Sequence, residues 1–149
     1  MVNGFLLISS VTIYILCLML LLIAAVIDLK YKIIPNWIIF SIVFIGLSFN
    51  SIPPNSLKNP LYGLGAGFFI MLPVYLLKGW GAGDVKLIAA IGSVVGIDKI
   101  IDIIFYSLMG MGALSLPFVL FTKDSVRQLP MAPAITLASY YVLLPSIIL

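Results

Sequence analysis

The chain contains no histidine and no glutamate, a single cysteine, and only 9% charged residues. Each shortage removes a class of chemistry. Without histidine there is no Ser-His or Cys-His nucleophile pair and no HExxH zinc helix. The one thiol, Cys17, lies in the middle of the first apolar run, so it forms neither an internal disulfide nor a CxxC metal site. It reads as a small buried hydrophobe. Proton transfer is left to Asp, Lys, Tyr or water, and no cofactor or metal is expected. The shortage of charge excludes more. A soluble domain carries about a quarter charged residues. Here 63% of 149 residues are hydrophobic and the mean hydropathy is +1.27, so polar side chains cannot cover the molecule. Its solvent is the lipid bilayer. The net charge of +3 is then a topology signal rather than a nucleic-acid footprint.

Charges divide the chain into uncharged runs at 1–27, 33–57, 59–77, 87–97, 103–122 and 128–149. Five are long enough for a membrane helix of roughly 20 residues. The fourth becomes a span by borrowing Gly83 to Lys86 and Asp98 to Ile101. The expectation is an all-α, polytopic membrane protein of six helices, a single transmembrane domain over 1–149 with no soluble insertion. Pro53-Pro54-Asn55 marks the second connection and "IDKIID" the fourth. The first run exceeds a 7–15-residue signal-peptide core and has no basic residue before it, so it reads as a retained helix. Odd-numbered loops hold Lys30, Lys32, Lys78, Lys86, Lys123 and Arg127; even-numbered loops hold Lys58 and Lys99. Six against two places the odd loops in the cytoplasm and both termini outside it.

Two aspartates then share a face. Asp28 closes the first helix in "VIDLKYKIIPNW", and Asp84 opens the fourth in "GWGAGDVKL". Two spans separate them, an even number of crossings, so both carboxylates lie at the cytoplasmic edge. Structural readings exist for each: Asp28 as the ion-pair partner of Lys32 four residues on, Asp84 as the N-cap of helix four. Together they gain a further meaning, because two carboxylates at one membrane edge can share a proton and a water. That dyad is the one self-sufficient hydrolytic device this inventory allows. The dipole of helix one is negative at Asp28 and that of helix four positive at Asp84, which is expected to bias the shared proton towards Asp28. Asp98, Asp102 and Asp124 read as caps and interfacial charges. Gly79, Gly81 and Gly83 follow a membrane helix and precede no GK[ST], so they are no nucleotide loop. Glycine there admits close approach of backbone, such as an extended peptide.

"GAGD" at 81–84 resembles the GxGD motif of intramembrane aspartyl proteases. With "DLKYKIIPN" at 28–36 and "LPMAPAITLAS" at 129–139, the chain resembles the type IV prepilin peptidases, in order and at suitable spacing. The resemblance implies Asp28 and Asp84 as the catalytic pair, with Gly81, Gly83, Lys86, Pro35 and Asn36 shaping the loops or meeting substrate. It implies an endopeptidase cutting the leader of a prepilin or pseudopilin at the cytoplasmic face, before the hydrophobic pilin helix. Larger members carry a cytoplasmic insertion, often with two CxxC pairs, associated with N-methylation. With one cysteine, this chain resembles the short peptidases of Flp-type pili, and archaeal preflagellin peptidases are neighbours. Outside proteolysis, a small proton-coupled carrier or structural membrane subunit would use the Asp pair as relay or glue. Carriers place such groups near the midplane in repeated halves, and neither feature is present.

Overall fold

A computed structural model describes residues 2–50, 58–77, 80–121 and 131–148. They form five helical elements: α1 (Val2–Tyr31), α2 (Asn36–Asn50), α3 (Lys58–Leu76), α4 (Ala82–Phe121) and α5 (Ala132–Ile148), and no strand occurs among them. The expected all-α class holds. Ser10–Tyr31 and Lys58–Leu76 are long and apolar enough to cross a membrane. Only 33% and 22% of their apolar windows are buried, unlike the core helices of soluble proteins. Phe40, Phe44 and Phe69 are each at least 70% exposed. Apolar surface of this extent suits a lipid surround.

The fourth element is two limbs. Gly96 sits inside it at φ 77°, ψ −178°, a conformation reserved for glycine. Residues 82–95 run away from the end that holds Asp84. The second limb heads back, since Gly110 comes beside Ala134, next to the α5 turn that meets Asp28. The break therefore falls at Gly96, and "IDKIID" is the first part of the returning helix rather than a connecting loop. A reversal at one glycine needs no polar linker when another residue caps the new helix. Asn59 does so from the start of α3, its Oδ1 accepting the Ile97 N–H at 3.3 Å.

The first limb is the centre of the bundle, with every residue from Leu87 to Gly96 buried. Such all-round burial marks a helix enclosed by others. α3 runs antiparallel to it, with Gly63 against Gly92 and Gly67 against Ala89. A side chain at Gly63 would enter the Gly92 carbonyl, so this small-residue face sets how closely the helices approach. α2 crosses the same limb where Gly46 meets Ser93. On the other side α1 lies along α5. Its buried positions Cys17, Leu21, Ala24 and Asp28 recur at helical spacing, so Asp28 continues the inward face. Pro53, Pro54, Asn55, Lys78, Gly79, Lys123, Asp124, Arg127 and Pro130 lie outside the described residues.

Candidate active site

Asp28 lies three residues before the last residue of α1. The helix stops because Lys32 takes the left-handed conformation, at φ 54°. Its N–H donates to the Asp28 carbonyl at 2.8 Å, an αL cap normally made by glycine. The chain then turns through Ile33, Ile34 and Pro35 into α2, where the Pro35 carbonyl accepts the Ile38 N–H at 3.2 Å. Pro35 thus caps α2.

Asp84 is held by its own helix start. The Gly81 carbonyl accepts the N–H groups of Asp84 and Val85 at 3.2 and 3.4 Å, which makes Gly81 the N-cap. Asp84 is the third residue of the helix rather than its cap, and its Oδ2 reaches back to the Gly81 N–H at 3.1 Å. This is the returning half of a capping box. A Cβ on Gly81 would stand 3.1 Å from Asp84 Oδ2, so the bare glycine lets this short carboxylate come close. Gly83 serves differently, its bare Cα facing Ile34, which a Cβ would meet at 3.4 Å.

The two carboxylates share one cleft. Asp28 and Asp84 line one cleft of about 410 Å³ with Lys32, Ile33, Ile34, Asn36, Gly81, Ala82, Gly83 and Lys86. They are 6% and 7% exposed, and Asp28 is close enough for its charge to act on Asp84. Of the seven residues that the family resemblance assigns to the site, only Pro35 lies off this lining. Asp98 and Asp102 are exposed near Gly96, at the far end of the first limb. No group of three or more His, Cys, Asp or Glu side chains suited to a metal occurs among the described residues. The chemistry available is acid–base chemistry between two half-enclosed carboxyls.

A further contact at Asp28 escaped the sequence reading. Its Oδ2 accepts the Ala132 N–H at 3.0 Å, so the start of α5 points at this carboxylate. At Asp28 the C-terminal end of α1 is thus not the sole helix end present. With the positive end of α5 also at Asp28, the two aspartates no longer differ by one helix end each. The only available signal was Pro133 in "LPMAPAIT", since proline so placed favours a helix start.

Residues 14–116 match the Type IV leader peptidase family, a stretch that contains both aspartates and every residue lining the cleft. The chain belongs to that family. It is 38% identical over 125 residues to the prepilin leader peptidase/N-methyltransferase of Bacillus subtilis (strain 168), covering 80% of this chain and 50% of that protein. The protein of the same name from Xanthomonas campestris pv. campestris is 30% identical over 127 residues, 78% of this chain and 44% of the relative. That of Stutzerimonas stutzeri is 26% identical over 133 residues, 83% and 46% of the two chains. The chain thus spans about half the length of the curated relatives it matches. No solved structure matches it. The α5 stretch at 131–139 lies beyond the matched family segment.

Proposed function

We propose that this chain is a membrane-embedded aspartyl endopeptidase that removes the leader of prepilins or pseudopilins, with Asp28 and Asp84 as its catalytic pair. The observation that carries the reading is the joint burial of these two carboxyls in one cleft, inside a chain of the leader peptidase family. One carboxylate takes a proton from a water as that water attacks the scissile carbonyl. The other, protonated, donates to the carbonyl oxygen. Collapse of the tetrahedral intermediate returns a proton to the leaving amine and restores the pair. Burial of the two side chains strengthens each step, because charges shielded from bulk water interact more strongly than in solvent.

The finer reading follows from charge and patterning. We read six spans with both termini outside, the fourth and fifth being the two limbs of α4, and the basic-loop bias supports a cleft at the cytoplasmic face. A basic leader stays on that side while its hydrophobic segment enters the bilayer. Within the family, Flp-type prepilins are the substrate class we propose to test. The experiment is incubation of the purified protein, in lipid nanodiscs, with a Flp-type prepilin, reading leader release by mass. Failure to release any leader, from a protein shown to be folded, would refute the reading.

A further inference from the structure

We propose that the first turn of α5 positions Asp28 for catalysis: the Ala132 N–H fixes the carboxylate's orientation, and Thr136 fastens that turn to α1. The proposal rests on the reading of Asp28 as a catalytic carboxyl. Nothing in the family's matched segment supplies it, since that segment ends at residue 116.

The first turn of α5 is arranged to leave one donor for this purpose. Met131 begins it, its carbonyl accepting the N–H groups of Ala134 and Ile135 at 3.1 and 3.2 Å. Pro133 has no N–H to offer. Between residues 132 and 135 the Ala132 N–H is therefore the one that escapes the helix's own start, and it reaches Asp28 Oδ2 at 3.0 Å. A side chain in the Met131 position, if it were Ser, Asp or Asn, would cap this turn locally. Such a cap serves the second or third N–H of a helix and not the first, so the Ala132 N–H takes its acceptor from 104 residues away in sequence.

The same turn is attached to α1 a second time. The Thr136 hydroxyl proton is shared between the Ala132 carbonyl at 2.7 Å and the Leu21 carbonyl at 3.2 Å. Leu21 stands two helical turns before Asp28 on the inward face of α1. Ala24 and Ala25, both buried, lie between them and keep the two helices close. Ala132 and Ile135 are fully buried and Thr136 nearly so, so water does not compete for these bonds.

Comparison with Asp84 shows what the arrangement achieves. Each carboxylate is held through Oδ2 by one main-chain N–H at a helix start, Gly81 for Asp84 and Ala132 for Asp28. Asp84 makes that bond within its own helix. Asp28 sits at a helix C-terminal end, where N–H donors are absent, and has to borrow one from α5. Both acids are thereby fixed in rotation, with one oxygen of each left for water and substrate.

The test exchanges Ala132 for lactic acid by nonsense suppression, an ester that removes the N–H and keeps the methyl group. Two readouts are taken: steady-state cleavage of a Flp-type prepilin, and the Asp28 carboxyl bands in isotope-edited infrared spectra. The same exchange at Ala138, within α5 and away from Asp28, controls for weakening the helix. We expect kcat to fall about 10–100-fold for the Ala132 ester, as for a lost hydrogen bond to a charged group, with KM nearly unchanged and the Asp28 bands shifted. Thr136→Val should lower kcat by roughly 3–10-fold, and Thr136→Ser should restore it. An Ala132 ester with unchanged kcat, or with losses confined to KM and thermal stability and unmoved Asp28 bands, overturns the proposal. Should the wild-type protein cleave no prepilin, the peptidase reading falls by itself, and the infrared bands still decide whether Ala132 orients Asp28.

Discussion

Gly96→Ala is the most informative single change to the fold, because two separate costs can be assigned to it. The backbone at φ 77°, ψ −178° is open to glycine only, and an L-residue forced into such a region costs about 1–3 kcal/mol. The added Cβ would also stand 2.7 Å from the Asn59 side-chain amide atoms, so the cap on Ile97 must leave. A lost cap costs about 0.5–2 kcal/mol. The total, roughly 1.5–5 kcal/mol, is a large share of the stability of a small domain. Asn59→Ala should cost only the cap. In the double variant the two effects should be less than additive, since Gly96→Ala has already displaced Asn59. Gly65→Ala is the control: nothing lies within 4 Å of its would-be Cβ, so it should gain up to about 1 kcal/mol from helix propensity. The assay is denaturant unfolding in mixed micelles followed by tryptophan fluorescence, with prepilin cleavage measured beside it. Cleavage should fall with stability, because the returning limb packs on the α5 turn that meets Asp28. If Gly96→Ala is as stable as Gly65→Ala, the reversal at Gly96 is wrong.

Gly81→Val should reduce kcat by about tenfold or more with little effect on membrane insertion, because the branched side chain meets Asp84 Oδ2; unchanged turnover would refute the capping role. Gly83→Val should weaken cleavage through Ile34 and the α1–α2 connection, which limited proteolysis of that connection would register. Asp98→Asn and Asp102→Asn should retain most activity, since both are exposed away from the cleft. Lys86→Gln should leave turnover unchanged if Lys86 is an interfacial anchor, and raise KM if it holds a negative charge on the substrate. Gly63→Val should destabilise by about 1–3 kcal/mol or more by forcing α3 off the Gly92 backbone, measured by the same unfolding assay.

What the sequence revealed followed from costs that are local. Charges mark where helices meet water, so the runs between them located α1, α2, α3 and α5 closely. An even number of crossings between Asp28 and Asp84 was enough to place them at one end. The GxGD and DLKYKIIPN stretches supplied the cleft almost residue for residue. Three features were missed, two of them because their partners are distant in sequence. The reversal in α4 was expected at the charged "IDKIID", yet one glycine makes it, and only the placement of Asn59 across 38 residues reveals why it suffices. The role of Asp84 as third helical residue needed the Gly81 carbonyl to be seen. The Ala132 bond to Asp28 is a main-chain donor, and no residue type announces a main-chain donor.

The central claim is that Asp28 and Asp84 act together on one peptide bond. Its most direct test is leader release from a Flp-type prepilin by wild-type, Asp28→Asn and Asp84→Asn proteins, each shown to be inserted and folded by circular dichroism and thermal unfolding. The account predicts release by the wild type and a fall of at least about 10²–10⁴-fold in each variant, since each carboxyl has a separate proton to move. Continued cleavage by Asp84→Asn, or by Asp28→Asn, at a rate near the wild type would contradict it.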